Sequence, residues 1–149
     1  MKENIIHVHY DIGESIMVIP TKMVYKQLEA EIHSVQFQLH TNHQFIQSEA
    51  CDSIEYAVKH LQKNLPVNMK VVCCQSCRHG NFNPFGDVEN EIFCLKDQTL
   101  VDKKDVVDIF SNQDPSFGKR SRKLLDFCED YKPIDEHKTY TYNDWGLEE

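Results

Sequence analysis

Three of the six cysteines in this 149-residue chain fall within Cys73-Cys74-Gln75-Ser76-Cys77. They stand where the apolar run Met69 to Cys73 ends and a stretch punctuated by Gly80, Pro84 and Gly86 begins. A run of that composition reads as a strand entering an irregular loop. Cys74 and Cys77 form a C-x2-C pair, and a tight turn between such residues brings two sulfurs onto one ion. Cys94 follows Cys77 with sixteen residues between them, and Cys128 stands further on. The sequence therefore predicts a single four-cysteine metal site, Cys74, Cys77, Cys94 and Cys128, whose last ligand arrives from a C-terminal segment folding back. A second C-x2-C is missing, so His79 is a rival fourth ligand, and Cys73 and Cys51 are further candidates. Adjacent side chains on a strand point to opposite faces, which leaves Cys73 towards the core when Cys74 takes the ion.

Zinc and iron both favour thiolate, and a closed set of four protein ligands is the usual form of a structural zinc site. Zinc is the expected metal. An iron–sulfur cluster needs the same four thiolates and stays open as an alternative. Dithiol redox chemistry after the thioredoxin pattern places the second cysteine in a helix, whose N-terminus lowers the thiol pKa. Here Arg78-His79-Gly80-Asn81 and Asn83-Pro84-Phe85-Gly86 argue against that helix. The remaining reading is that these are ordinary buried cysteines, a common state for a free thiol.

Composition bounds the rest. A length of 149 residues, 40% hydrophobic and 27% charged, suits one globular domain with a real core. The expected organisation is a single domain over 1–149. Within it, 1–70 forms sheet plus helix, 71–132 the cysteine metal-site region, and 133–149 an acidic tail containing aromatics. A formal net charge of −8 opposes binding to nucleic acid or an anionic membrane. The N-terminus shows no secretory pattern and no apolar run is long enough to span a bilayer, so the expected location is the cytoplasm. A reducing compartment favours thiols and metal ligands over disulfides.

The predicted fold is α+β, a mainly antiparallel sheet built as an N-terminal meander, with one main amphipathic helix and a cysteine-rich metal-binding loop. Ile6, Val8, Tyr10 and Ile12 alternate with polar residues and predict a strand. Ser15 to Ile19 predicts its hairpin partner, stopped by Pro20. The pattern after Thr21 fits helix or strand, with strand favoured beyond Lys26. Val35, Phe37 and Leu39 alternate cleanly, and Asn42 is a turn residue. Asp52 with Glu55 reads as a capping box for a helix from Asp52 to Leu65, with Ile54, Ala57, Val58, Leu61 and Leu65 on one stripe and Pro66 ending it. Glu91 to Lys96 predicts a returning strand, and Val106, Val107 and Phe110 a short helical stripe. No internal repeat or low-complexity tract is present.

Other candidates carry less. His7 and His9 share a strand face, as a metal-binding His-x-His would, but a solvated strand face is the expected reading; His40 and His43 are merely close in sequence. Cys77 beside His79 suggests a thiol nucleophile, with no orienting third group. No phosphate-cradling glycine motif and no nucleophile elbow occurs, so a cysteine- or metal-dependent enzyme is the third-ranked reading. Lys119 to Lys123 is either a docking patch or a solvated segment. The tail from Tyr140 to Trp145 either binds a partner or wraps back. Phe82 and Phe85 either present outward as anchors or cover the metal site, the latter expected for at least one. The function expected is a non-catalytic metal-binding protein acting in protein–protein interaction or regulation, its partner a protein that the sequence does not identify.

Overall fold

Lys2–Ile12 (β1) and Ser15–Leu28 (β2) pair antiparallel in unbroken register from Lys2 opposite Tyr25 to Ile12 opposite Ser15. Two residues join them, Gly13 and Glu14, both at positive φ (59° and 76°). That backbone matches the right-handed twist of the strands it connects. The computed structural model describes residues 1–41, 43–86, 90–112, 115, 117–134 and 139–145. Asn42, read above as a turn residue, lies outside that set.

The described residues form two compact units, Met1–Val72 and Cys73–Glu149. The first holds a five-stranded antiparallel sheet in the order β4-β3-β2-β1-β5, where Glu31–His40 is β3, Phe45–Gln47 is β4 and Met69–Val72 is β5. Val8, Tyr10, Val35, Phe37 and Leu39 are all buried, as their alternation predicts. The helix Ile54–Asn64 (α1) packs on β3 and β4 and buries Ala57, Val58 and Leu61. Tyr10 and Thr21 satisfy each other in the core through a 2.7 Å hydroxyl–hydroxyl hydrogen bond.

Two expectations need correction here. Pro20 does not stop β2, which runs on to Leu28. Pairing with β3 begins only at Lys22, so at Pro20 the strand has a neighbour on one side only, and proline is tolerated there. The ambiguous stretch after Thr21 is therefore strand rather than helix, interrupted only by the turn at Glu29 and Ala30. The helix cap is Ser53 rather than Asp52: its side chain accepts the Tyr56 N–H, and α1 starts one residue later than expected. Asp and Ser cap equally well, so local sequence does not choose between them. The predicted end holds, since Leu65 before Pro66 is extended.

The second unit has a three-stranded antiparallel sheet, Gly80–Asn81 (β6), Glu91–Cys94 (β7) and Ser121–Lys123 (β8), in that order. A second helix, Lys103–Ser111 (α2), accompanies it. Asp102 and Asp105 form its capping box, each side chain accepting the other's main-chain N–H. The mixed architecture is thus mostly strand, with two helices among the described residues. Phe93, Phe110 and Phe117 meet in a mutual aromatic cluster, ring centroids 5.1–5.4 Å apart, joined by Leu95, Leu100 and Val106. Among the described residues, no helix is long and apolar enough to cross a membrane.

Candidate metal centre

The chain leaves β5 at Val72 and turns immediately. Cys74–Ser76 forms one 3-10 turn, closed by the Cys77 N–H donating to the Cys74 carbonyl at 3.3 Å. Such a turn leaves its first N–H groups without internal partners. The Cys74 N–H donates to the Asp126 carbonyl (2.8 Å) and the Gln75 N–H to the Leu124 carbonyl (3.0 Å). Further on, the Arg78 N–H donates to the Lys132 carbonyl at 2.7 Å. The segment 124–132 is thereby laid along the cysteine loop, and it carries Cys128.

The third arm comes from the small sheet. β6 pairs with β7 so that Gly80 faces Cys94, and the Leu95 N–H donates to the His79 carbonyl at 2.9 Å. Three chain segments distant in sequence therefore converge. Cys74, Cys77, Cys94 and Cys128 line one cavity of about 30 Å³, with His79, Lys96, Arg122 and Asp130 on the same wall. All six cysteines are free thiols. No three of the described His, Cys, Asp or Glu side chains are gathered into a ready coordination sphere. What the loop supplies is four thiols on the lining of one small, partly open cavity.

Local hydrogen bonds treat two of these sulfurs alike. The His79 N–H donates to Cys77 Sγ at 3.4 Å, and the Asp130 N–H donates to Cys128 Sγ at 3.4 Å. In each case the donor is the residue two positions after the cysteine. A donor aimed at sulfur favours the thiolate. Burial works against it: it pushes Cys74 up to about 12, helped by repulsion from Cys73, Cys77, Asp126 and Cys94. Burial also raises Cys77, with Cys94 and Cys128 adding to it. Burial and mutual repulsion thus favour the neutral thiols at Cys74 and Cys77.

The remaining candidates separate clearly. Cys73 is wholly buried, bonds to Ser76 and does not line the cavity; burial raises its thiol to about 11. Cys51 belongs to the first unit, where its backbone bridges to Val35 and its sulfur meets the Glu49 carbonyl. His79 does line the cavity. Burial, then the charges of Arg78 and Lys132, hold its ring below the usual imidazole range and so favour the neutral form. Cys74 opens a single 3-10 turn rather than an α-helix; Cys77 ends the turn in extended conformation, unlike the second thiol of a dithiol redox motif. Neither Phe82 nor Phe85 lines the cavity, against the expectation that one would cover it; Phe82 is half-buried and Phe85 is 54% exposed. The basic run is divided. Arg120 makes two bonds to the Asp97 carboxylate and one to the Cys94 carbonyl (3.1 Å), Arg122 reaches the cavity, and Lys119 and Lys123 are exposed.

Sequence reasoning missed the charged lining. Lys96 pairs with Asp130 at 2.8 Å beside Cys128, and no motif marks either residue. It also treated Gly80 as a loop breaker. A β-carbon on Gly80 would overlap the Cys74 carbonyl oxygen and crowd the Ile92 side chain. Its position just after a C-x2-C knuckle was the available signal.

Comparison with protein-family models, with curated proteins and with solved structures finds no match to this chain.

Proposed function

We propose that this chain is a non-catalytic zinc-binding protein of the cytoplasm, in which Cys74, Cys77, Cys94 and Cys128 hold a structural zinc ion and the surface serves protein–protein interaction or regulation. The observation that carries the reading is the convergence of those four thiols on the lining of one small cavity. Binding energy would then add to folding energy, because the site does not exist in the unfolded chain.

Cys128 is preferred to His79 as the fourth ligand. Like Cys77, it accepts a main-chain N–H bond at 3.4 Å from the residue two positions after it. Four thiolates around a divalent ion leave an excess of negative charge; on the lining Arg122 offsets part of it, while Lys96 is paired with Asp130. Support for an interaction role is the apolar surface: Ile16, Met17 and Val18 are half-exposed at one hairpin, and Phe85 projects from the cysteine loop.

Cobalt substitution tests the ligand set. Co(II) in a four-thiolate tetrahedron gives intense visible bands with sulfur-to-metal charge transfer in the near ultraviolet. Replacing any of the four cysteines by serine should weaken and shift both. A cobalt spectrum of octahedral type, or one indifferent to Cys128→Ser, would remove that residue or the site. A brown anaerobic preparation would redirect the reading to an iron–sulfur cluster.

A further inference from the structure

Three consecutive C-terminal residues hold the loop that carries Cys74 and Cys77. Thr141 Oγ1 donates to the Arg78 carbonyl at 2.7 Å. The Tyr142 N–H donates to Asn81 Oδ1 at 2.6 Å, and its carbonyl accepts the Phe82 N–H at 2.9 Å. Asn143 Nδ2 donates to the Gln75 carbonyl at 2.7 Å and to the Gly80 carbonyl at 3.3 Å. The Trp145 N–H donates to Asn143 Oδ1 at 2.9 Å, which orients the amide so that its NH2 group faces the loop.

The placement of the Asn143 bonds matters most. Gln75 lies between the two cysteines of the pair, and Gly80 is the residue that packs against the Cys74 carbonyl. One side chain thus ties the middle of the 3-10 turn to the first residue of β6. The strap is anchored in turn: Tyr140 and Tyr142 pack against the Phe93–Phe110–Phe117 cluster, and the Tyr140 N–H donates to the Leu100 carbonyl at 3.4 Å.

Resting on the reading of the four cysteines as a metal centre, we propose that Asn143 is a positioning residue of that centre, and that order in the strap 141–145 and occupancy of the site reinforce each other. Metal binding fixes the carbonyls that the strap grips, and a seated strap presents the turn in the shape that metal requires. Such coupling is reciprocal. Losing the metal loosens the strap and frees the segment Tyr140 to Trp145, with its aromatic side chains, for another surface. The metal centre then acts as the latch of a releasable C-terminal segment.

The test uses the full chain loaded with zinc. Zinc transfer to a colorimetric chelator is timed for the parent, Asn143→Ala and Thr141→Val, while fluorescence of Trp145, the only tryptophan, is followed in the same samples. Asn143→Ala should release zinc about tenfold faster or more, within the range seen for groups that orient ligands without touching metal. Thr141→Val should change in the same direction by less. Parent Trp145 emission should shift to the red in step with zinc loss. Variants that load one zinc and release it at the parent rate would overturn the inference, even if the urea midpoint of their metal-free form falls, since that is the mark of a merely structural strap. Unchanged emission after zinc has left would overturn it too. If Asn143→Ala fails to fold, Thr141→Val decides. A parent protein that carries no metal would instead sink the underlying metal-centre reading.

Discussion

Gly80 lies against the main-chain carbonyl of Cys74 with no room for a β-carbon between them. The glycine is required for space rather than for an unusual backbone angle. This close approach lets β6 start three residues after Cys77 while its partner strand brings Cys94 to the same cavity. It couples the two arms of the site through backbone packing.

Gly80→Ala should therefore damage the site without touching a ligand. The new methyl meets backbone, which yields little, so a cost of roughly 1–3 kcal/mol is expected, as for other overpacked positions. Urea denaturation measures that loss, and metal analysis should show reduced zinc retention. Gly118→Ala makes the control, because a β-carbon there meets nothing within 4 Å.

The choice of fourth ligand gives a paired result. Cys128→Ser should lower zinc content well below one equivalent per chain, and Cys94→Ser should do the same. His79→Ala should keep the metal, because the bond from residue 79 to Cys77 comes from the main chain. Retention of zinc by Cys128→Ser together with its loss in His79→Ala would exchange the two roles.

Acid should loosen the Cys94 arm through a residue outside the site. Arg120 bonds to both Asp97 and the Cys94 carbonyl, and its guanidinium holds the Asp97 carboxyl down to about 2, from 3.8. A carboxyl with a depressed folded-state pKa contributes stability above its unfolded value and loses it as protons bind. The contribution is thus whole at pH 5 and disappears between about pH 4 and 2. Asp97 is largely exposed, so solvent screening keeps the effect under about 1 kcal/mol. Asp97→Asn should flatten the acid limb of a stability–pH curve over that window, and an unchanged curve would discount the pair.

The helix cap offers a test away from the metal. Ser53→Ala should cost about 1 kcal/mol, while Asp52→Ala should cost little, since the Tyr56 N–H bonds to Ser53. Thermal unfolding of the two variants distinguishes them.

The sequence was most legible where one physical pattern dominated. Val8 with Tyr10, and Val35 with Phe37 and Leu39, stand out because one sheet face is buried and the other is not. The C-x2-C pair stands out because few arrangements use it. Legibility failed where the deciding partner was far along the chain. Whether Pro20 ends a strand depends on where β3 starts to pair, and the choice between Asp52 and Ser53 depends on a single register step. β6 and β8 have two and three residues, too few for any periodicity. The strap residues Thr141 and Asn143 look like solvated polar residues until the carbonyls they meet are known. Lys96 and Asp130 acquire meaning only beside Cys128.

The central claim is that four cysteines from three segments hold one metal ion. Its most direct test is elemental analysis of protein purified without any metal-affinity step, together with the Cys74→Ser variant prepared in parallel. The account predicts a colourless parent with one zinc per chain, and a variant that has lost most of its zinc and unfolds at lower urea. A parent without stoichiometric metal, or a Cys74→Ser variant that keeps its metal and unfolds like the parent, would contradict it.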